Sequence, residues 1–383
     1  MASLPAPFLS REEVLCGPVL GNGAFCKVSA VKSIVLKEIP QPKEQEVSLY
    51  EGQSASPSPS SSSSRLFSRA ARDLDGQEDA RKQLVSINQC SRLAMKELKD
   101  SSKENLAIAK NDLCIELNIL KKIRADNHPH IIKLIAVGVE SFEEEDAKQP
   151  TFLILGKVRA TISNFMYSWR ERRGMGLFQY LGVGVQQFRD LWLERLLVLS
   201  KISSAIRFLH THRIVYRDLK PDNVGFDAEN VPKLFDFGLG KVIEEKDFGE
   251  LNDTYQLTGN AGSLRYMAPE VANEKPYGMS VDVYSLSILM HQVLSLKVPF
   301  CGIPRSQFKD QVFDQGVRPP LDQTWPEPLQ KLFRAMWDEN PKSRPKSQEV
   351  HSAFEDMLRG DDAGLFPSDM QTKGQVNVMS IFC

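Results

Sequence analysis

The segment Tyr216–Asn223 carries polar residues of the types that bind metal ions and balance negative charge. Its run Y-R-D-L-K-P-D-N holds Asp218, Lys220 and Asn223, and Asp236 follows in the triplet D-F-G. Carboxylate and amide oxygens are hard ligands of the kind that Mg²⁺ prefers, and a lysine beside an aspartate can balance anionic charge. The set indicates a metal and phosphate site. A solvated charged turn is the alternative.

A second candidate is the glycine-rich segment Gly21–Val28, G-N-G-A-F-C-K-V, which lies between two strand-like runs. Glycine lets the backbone approach phosphate oxygens closely because no Cβ stands in the way. Taken alone the signal is weak, since a glycine hairpin without a ligand explains it equally well. The strand-turn-strand pattern disfavours a Rossmann site, which needs a helix after the turn.

Together with Ala268–Glu270, A-P-E, these motifs occur in the order and spacing that resembles the eukaryotic protein kinases. The resemblance implies that Asp218 accepts the proton of the incoming hydroxyl and that Lys220 balances charge on the moving phosphoryl group. It also implies that Asn223 and Asp236 hold Mg²⁺, with Mn²⁺ as a substitute. The nucleotide-binding residues that it implies in the small lobe and hinge are Gly21, Gly23, Val28, Lys96, Lys157 and Val158.

Two lysines compete for the position that binds the ATP phosphates. Lys37 lies in V-L-K and Lys96 in L-A-M-K, and either resembles the family's V-A-I-K strand. Lys37 follows Val28 too closely to leave room for the second strand and its turn. Lys96 precedes Glu116 by enough residues for a strand end, a turn and a helix, so we choose Lys96 and expect Glu116 to pair with it.

The resemblance extends to the hinge and to structural residues of the large lobe. Thr151–Val158 should end at the hinge, with Leu155 as gatekeeper and Lys157 and Val158 offering backbone groups to adenine. The family often has an acidic residue where Gly156 stands, so the hinge register is open. The remaining matches are structural in the family: Asp282, tied to the catalytic loop, and Arg344, paired with Glu270.

The resemblance further predicts control by phosphorylation. Arg217 beside Asp218 would be an unpaired charge unless an anion meets it. A phosphate on Thr254, Tyr255 or Thr258 could meet it through charge-assisted hydrogen bonds, with Thr254 and Thr258 favoured. Simple solvated hydroxyls are the alternative.

The pattern of apolar residues predicts the elements that position these motifs. Strands are expected within Val14–Ile39, Arg92–Leu98, Ile131–Val139 and Thr151–Val158, and a helix over Asn105–Ile123. Long helices are expected from residue 190 onward, including a buried one over Val281–Leu296 and amphipathic ones over Leu329–Trp337 and Val350–Leu358. The implied fold is α+β: the bilobal protein kinase fold, with a small antiparallel β lobe containing one main helix and a larger, mainly helical lobe.

The serine-rich run S-A-S-P-S-P-S-S-S-S-S predicts a disordered insertion over about residues 41–85. We therefore expect an N-terminal extension at 1–11, a kinase domain at 12–358 with lobes 12–158 and 159–358, and a flexible tail at 359–383. Because loop entropy grows slowly with length, deletion of 41–85 is expected to leave ATP binding intact.

The composition excludes several classes of protein. The 383 residues carry 48 Lys and Arg against 49 Asp and Glu, for a net charge of −1. This balance disfavours binding to nucleic acid or anionic membrane, both of which need basic excess. The six scattered cysteines fit neither a zinc module nor a disulfide scaffold. We expect a cytoplasmic monomer, with nuclear residence left open.

The sequence therefore predicts an ATP-dependent protein serine/threonine kinase. Lys220 and the segment G-S-L-R-Y-M-A-P-E are similar to the serine/threonine branch, and within it to the tyrosine-kinase-like group. The expected partners are ATP, protein substrates and an upstream kinase. The alternatives are a pseudokinase scaffold that binds ATP without phosphotransfer and a kinase acting on small molecules.

Overall fold

A computed structural model describes residues 6–37, 76–85, 90–99, 102–140, 149–174, 185–244, 262–360 and 365–370. These residues divide into two compact units. The first takes the described residues of Met1–Ala125 and Lys133–Lys157, and the second those of Asp126–Ile132 and Val158–Cys383. The predicted lobe boundary is off by one residue, and the loop Asp126–Ile132, expected in the small lobe, belongs to the second unit.

The first unit is built on a six-stranded sheet in the order β1-β5-β6-β4-β3-β2. Its strands are β1 (Phe8–Leu9), β2 (Val14–Asn22), β3 (Cys26–Ile34), β4 (Leu93–Leu98), β5 (Leu134–Gly138) and β6 (Phe152–Gly156). Every pair is antiparallel except β1 with β5, which is parallel. The predicted strands are confirmed, and β1 is an additional strand that the sequence did not predict.

Strand β1 corrects the expected N-terminal extension at 1–11. Leu9 is fully buried in the core of the first unit, with apolar residues of the other strands. Gly138, which pairs with Leu9, lies so close to the ring of Phe152 that a Cβ would meet it at 2.1 Å. A side chain at Gly138 would therefore push β5 and β6 apart.

Two helices accompany this sheet, α1 (76–85) and α2 (Lys103–Ile123). Helix α2 matches the predicted helix, and its buried Leu113, Leu117 and Leu120 recur at the helical spacing. Helix α1 shows that the prediction of disorder is wrong for residues 76–85; residues 41–75 lie outside the described part of the chain.

The second unit is mainly helical. Its helices are α3 (Ile162–Gly174), α4 (Val185–Thr211), α5 (Pro269–Ala272), α6 (Ser280–Ser295), α7 (Glu327–Met336) and α8 (Ser347–Arg359). Its short strands are β7 (Ala160–Thr161), β8 (Ile214–Val215), β9 (Val224–Phe226), β10 (Pro232–Leu234) and β11 (Lys241–Val242). Helix α6 is buried from Val281 to Leu294, as its apolar sequence predicts. The α+β fold class with a β lobe and a helical lobe is confirmed.

Residues 365–370 correct the expected flexible tail from 359. Leu365 and Phe366 are buried. The indole Nε1 of Trp192 donates to the carbonyl of Leu365 (2.8 Å), and the Arg189 guanidinium lies 3.6 Å from the Phe366 ring centroid. The segment is therefore part of the helical unit. Among the described helices, none combines the length and hydropathy needed to cross a bilayer.

Candidate active site

The first unit brings Lys96 and Glu116 together. Lys96 lies on β4 and Glu116 on α2, and Nζ is 2.5 Å from Oε2. The Glu116 side chain is fully buried and that of Lys96 is 15% exposed. A buried carboxylate needs a partner such as this lysine because an isolated ion is costly in a protein interior. The expected ion pair is present.

Three predicted nucleotide-binding residues share one row across the sheet. Gly21 on β2 is the register partner of Val28 on β3, and Val28 is the partner of Lys96 on β4. The turn between β2 and β3 is closed by Gly23, whose N–H donates to the carbonyl of Cys26 (2.9 Å), and the Lys99 ammonium donates to the carbonyl of Gly23. The sheet pairing thus fixes the position of Lys96 relative to the glycine turn.

Lys37, the rejected candidate, lies beyond the end of β3. Its ammonium pairs with Glu12 at the surface, and its backbone N–H donates to Oε1 of Glu13 (2.7 Å). It takes no part in the row that contains Lys96.

At the predicted hinge, one of the backbone groups expected to contact adenine already has a partner. The backbone N–H of Lys157 donates to the carbonyl of Arg92 (2.7 Å), so this donor is already used within the first unit. Gly156 likewise donates to the carbonyl of Lys133 (3.0 Å). Val158 is the hinge residue for which the prediction stands unchanged.

In the second unit, three donors surround the carboxylate of Asp218. Oδ2 accepts from Lys220 Nζ (2.6 Å) and Asn223 Nδ2 (2.8 Å), and Oδ1 accepts from Ser263 Oγ (2.9 Å). The hydroxyl of Ser263 also accepts from Lys220 Nζ (3.0 Å). Asp218 and Asn223 are buried. The carboxylate is therefore held in one orientation by its neighbours. Ser263 lies in the G-S-L-R-Y-M-A-P-E segment, but sequence reasoning gave it no role.

Buried Asp282 on α6 holds the backbone that leads to Asp218. Its two oxygens accept from the N–H groups of Tyr216 and Arg217 (2.8 Å each), and His210 Nε2 is 2.9 Å from Oδ2. This is the structural contact that the sequence predicts. It fixes a strained turn, since Arg217 has φ +70°.

A β-hairpin brings Asn223 and Asp236 toward the same end. Asn223 immediately precedes β9, Asp236 follows β10, and Val224 pairs with Leu234 in antiparallel register. The N–H of Phe235 donates to the carbonyl of Asn223 (3.1 Å). Asp236 has φ +63°, a conformation that turns the chain sharply before the buried Phe237.

These side chains fit a divalent cation that also binds phosphate. Both amide hydrogens of Asn223 are used at Asp218, on its carbonyl (2.9 Å) and its carboxylate, so the amide oxygen is the atom that can take a cation. No group of three or more His, Cys, Asp or Glu side chains among the described residues could hold a metal alone. A hard cation here would complete its shell with phosphate oxygens and water, as Mg²⁺ usually does.

The premise for control at Arg217 needs correction. Its guanidinium donates to the carbonyls of Leu239 (2.5 Å) and Gly240 (3.4 Å) and to the hydroxyl of Tyr277 (3.2 Å). The expected unpaired charge therefore has neutral partners. Thr254 and Thr258 lie outside the described residues.

The segment after residue 261 is fastened to the helical unit. Gly262 has φ +103°, and a Cβ there would lie 2.4 Å from the carbonyl oxygen of Arg217, so this position requires glycine. Tyr266 donates to Gln292 Oε1, and burial raises the pKa of its hydroxyl. Glu270 and Arg344 form the predicted buried ion pair, with two contacts of 2.6 and 2.9 Å.

Comparison with known proteins agrees with this geometry. A protein-family scan matches residues 76–354 to the protein kinase domain. The chain belongs to the protein kinase family. The match starts after β1, β2 and β3, so the structure, through the pairing of β3 with β4, is what joins the glycine turn to the kinase domain.

Three curated relatives show the similarity: two are named as serine/threonine-protein kinases, one of them as probable, and the third as a serine/threonine/tyrosine-protein kinase. Probable serine/threonine-protein kinase gdt4 of Dictyostelium discoideum is 36% identical over 181 residues, which cover 45% of this chain and 11% of that protein. Serine/threonine-protein kinase STY17 of Arabidopsis thaliana is 27% identical over 251 residues (64% and 38%). Serine/threonine/tyrosine-protein kinase HT1 of the same plant is 32% identical over 228 residues (60% and 51%). The kinase thus spans about half or less of each relative's length.

Proposed function

We propose that this kinase transfers the γ-phosphoryl group of ATP to serine or threonine hydroxyls of proteins, with Mg²⁺. The observation that carries the proposal is the arrangement at Asp218, whose carboxylate is oriented by Lys220, Asn223 and Ser263. A protein that only bound nucleotide would have no need to orient a buried carboxylate in this way.

The candidate site residues have three proposed roles: a general base, a group that neutralises charge, and a group that binds the nucleotide phosphates. Asp218 orients the incoming hydroxyl and accepts its proton. Lys220 balances the charge that develops on the phosphoryl oxygens. Lys96, held by Glu116, binds the phosphates of the nucleotide. These roles position the reacting groups and neutralise the charge on the phosphates, which is the main contribution of a protein to phosphoryl transfer.

Asn223 and Asp236 supply the oxygens for the cation. When bound, Mg²⁺ neutralises phosphate charge and aligns the phosphoryl group with the attacking oxygen. Calcium would accept more ligands than these two residues and a nucleotide offer, whereas Mg²⁺ keeps several waters. Mn²⁺ is the expected substitute.

The test compares the wild-type chain with Asp218→Asn in Mg-ATP and a generic protein substrate. We expect phosphate incorporation by the wild type and a loss of at least about a hundredfold in the variant, since a positioned base contributes about 10²–10⁴. Phosphoamino-acid analysis should find phosphoserine and phosphothreonine. Equal incorporation by both proteins would contradict the assignment of Asp218. Nucleotide binding by both with incorporation by neither would favour the scaffold.

A further inference from the structure

Helix α1 is anchored on the first unit through a few residues. Ala80 and Arg81 are buried, and Leu84 packs against the apolar core of the sheet. The residues between them, such as Lys82, are exposed. The helix is polar in composition, so specific contacts rather than a broad apolar face must hold it in place.

Arg81 is the centre of those contacts. Its guanidinium pairs with the carboxylate of Glu13, and both side chains are at most 2% exposed. It also donates to the carbonyls of Phe8 and Lys37 (2.8 Å each). Glu13 accepts in addition from the N–H groups of Ser10 (2.8 Å) and Lys37 (2.7 Å). Such a saturated network is the condition under which a buried ion pair is tolerated.

A second contact fixes the same strand. Gln77 Oε1 accepts from the N–H of Phe8 (2.9 Å), so α1 binds both backbone polar groups of this residue. The opposite edge of β1 is bound to β5, through donation from Val137 to the carbonyl of Pro7 and from Val139 to that of Leu9 (2.9 Å each). Strand β1 is only two residues long, and it is thereby held on both edges.

Phe8 links β1 to the helix that carries Glu116. The ammonium of Lys121, on α2, lies 5.7 Å from the centroid of the Phe8 ring, within the range of a cation–π contact. Helix α2 also packs against β4 and β5.

We infer that α1 and β1 together are a brace for α2. In this brace Gln77 and Arg81 are positioning residues: they hold Phe8 beneath Lys121 and so favour the placement of α2 in which Glu116 meets Lys96. The expected effect of the brace on turnover rests on the proposed function, whereas its expected effect on the stability of α2 does not. It assigns a role to a helix that the sequence predicts as part of a disordered insertion.

The first test is Gln77→Ala, with Lys82→Ala on the exposed face of α1 as the matched control. A neutral hydrogen bond corresponds to about a three- to tenfold change in an equilibrium. We expect amide hydrogen exchange within α2 to rise about that much in Gln77→Ala, with exchange in β2 and β3 unchanged. The turnover number should fall several-fold while the KM for the protein substrate stays constant. Lys82→Ala removes only an exposed ion pair with Glu78 within α1, so exchange in α2 should change by at most about twofold and the turnover number should stay at the wild-type value.

The second test is a double-mutant cycle between Gln77→Ala and Lys121→Met, read by exchange of α2 without nucleotide. Methionine keeps the apolar stem of the lysine but not its charge. Because both changes act through Phe8, the double variant should show less than the product of the single effects. Arg81→Lys retains the charge beside Glu13 but loses donors to the carbonyls of Phe8 and Lys37, so exchange in α2 should rise at least as much as in Gln77→Ala. Arg81→Ala is unsuitable because it leaves Glu13 buried without its partner.

Independent effects in the cycle, or an equal rise of exchange in α2 and in the β2–β3 hairpin, would overturn the brace. Hydrogen exchange requires no phosphotransfer. A wild-type chain that shows no activity would therefore contradict the proposed function and leave the brace decided by exchange alone.

Discussion

Ser263 offers a sharp test of the geometry around Asp218. Its hydroxyl donates to Asp218 Oδ1 (2.9 Å) and accepts from Lys220 Nζ (3.0 Å), so it joins two charged groups that the proposed mechanism uses. Hydrogen bonds to charged groups contribute about 1.5–3 kcal/mol. This hydrogen bond helps to hold the Asp218 carboxylate in the orientation needed for reaction. If Ser263→Ala removes its contribution from the transition state, the turnover number should fall about tenfold to a hundredfold.

The assay is steady-state phosphate incorporation with ATP and protein substrate varied separately. We expect the loss in the turnover number, with the KM for ATP changed less than about threefold, because the hydroxyl contacts the base and not the Lys96–Glu116 pair. Ser263→Thr, which keeps the hydroxyl, should restore activity. Ser287→Ala removes a buried hydroxyl that bonds only within α6 and is the control. A turnover number within twofold of wild type in Ser263→Ala would refute the reasoning.

Three further predictions rest on other parts of the structure. Lys96→Met should reduce phosphate incorporation to background while circular dichroism is retained, and undiminished activity would contradict the choice of this lysine. Arg344→Met should lower the free energy of unfolding in urea by about 3–5 kcal/mol, because it leaves Glu270 buried without its partner, and Glu270→Leu/Arg344→Met should lose less. His128 lies in the loop Asp126–Ile132 of the second unit, where burial and nearby positive charge lower its pKa from 6.5 to about 4. Between pH 6.5 and about pH 4 the unfolded chain therefore binds more protons than the folded one, and the free energy of unfolding should fall as the pH falls. His128→Gln should show a shallower fall, and an unchanged slope would exclude this histidine.

The motifs of the second unit could be predicted because their residues are close in sequence. Asp218, Lys220 and Asn223 lie within one short segment, and the hairpin that adds Asp236 is local. Lys96 and Glu116 are farther apart, but the strand and helix that carry them have clear apolar periods. Local pattern and spacing therefore predict the elements that carry most of the candidate site, and the resemblance to the protein kinases supplies the roles of its residues.

The contact of Ser263 with Asp218 could not be derived from periodicity. The two residues are 45 positions apart, and their contact depends on the path of the intervening segment. The use of the Lys157 N–H could not be predicted for a related reason: it depends on the carbonyl of Arg92, which lies in a short 3-10 turn just before β4. Backbone donors carry no sequence signal, so their partners appear only when the strands are assembled.

Helix α1 shows the limit of composition as a guide. Residues 76–85 follow a serine-rich run and carry few apolar side chains, and a segment that buries little apolar surface is expected to remain disordered. What stabilises the helix is a saturated polar network, in which Arg81 meets a carboxylate 68 positions earlier. An arginine in a polar segment is ordinarily a solvated charge, and only the burial of Glu13 shows that Arg81 is different.

The deletion that the sequence predicts to be harmless must therefore stop before residue 76. Removal of 41–85 would take away Arg81 and leave Glu13 as an unpaired buried charge, whose cost of about 3–5 kcal/mol is a large fraction of the stability of an ordinary domain.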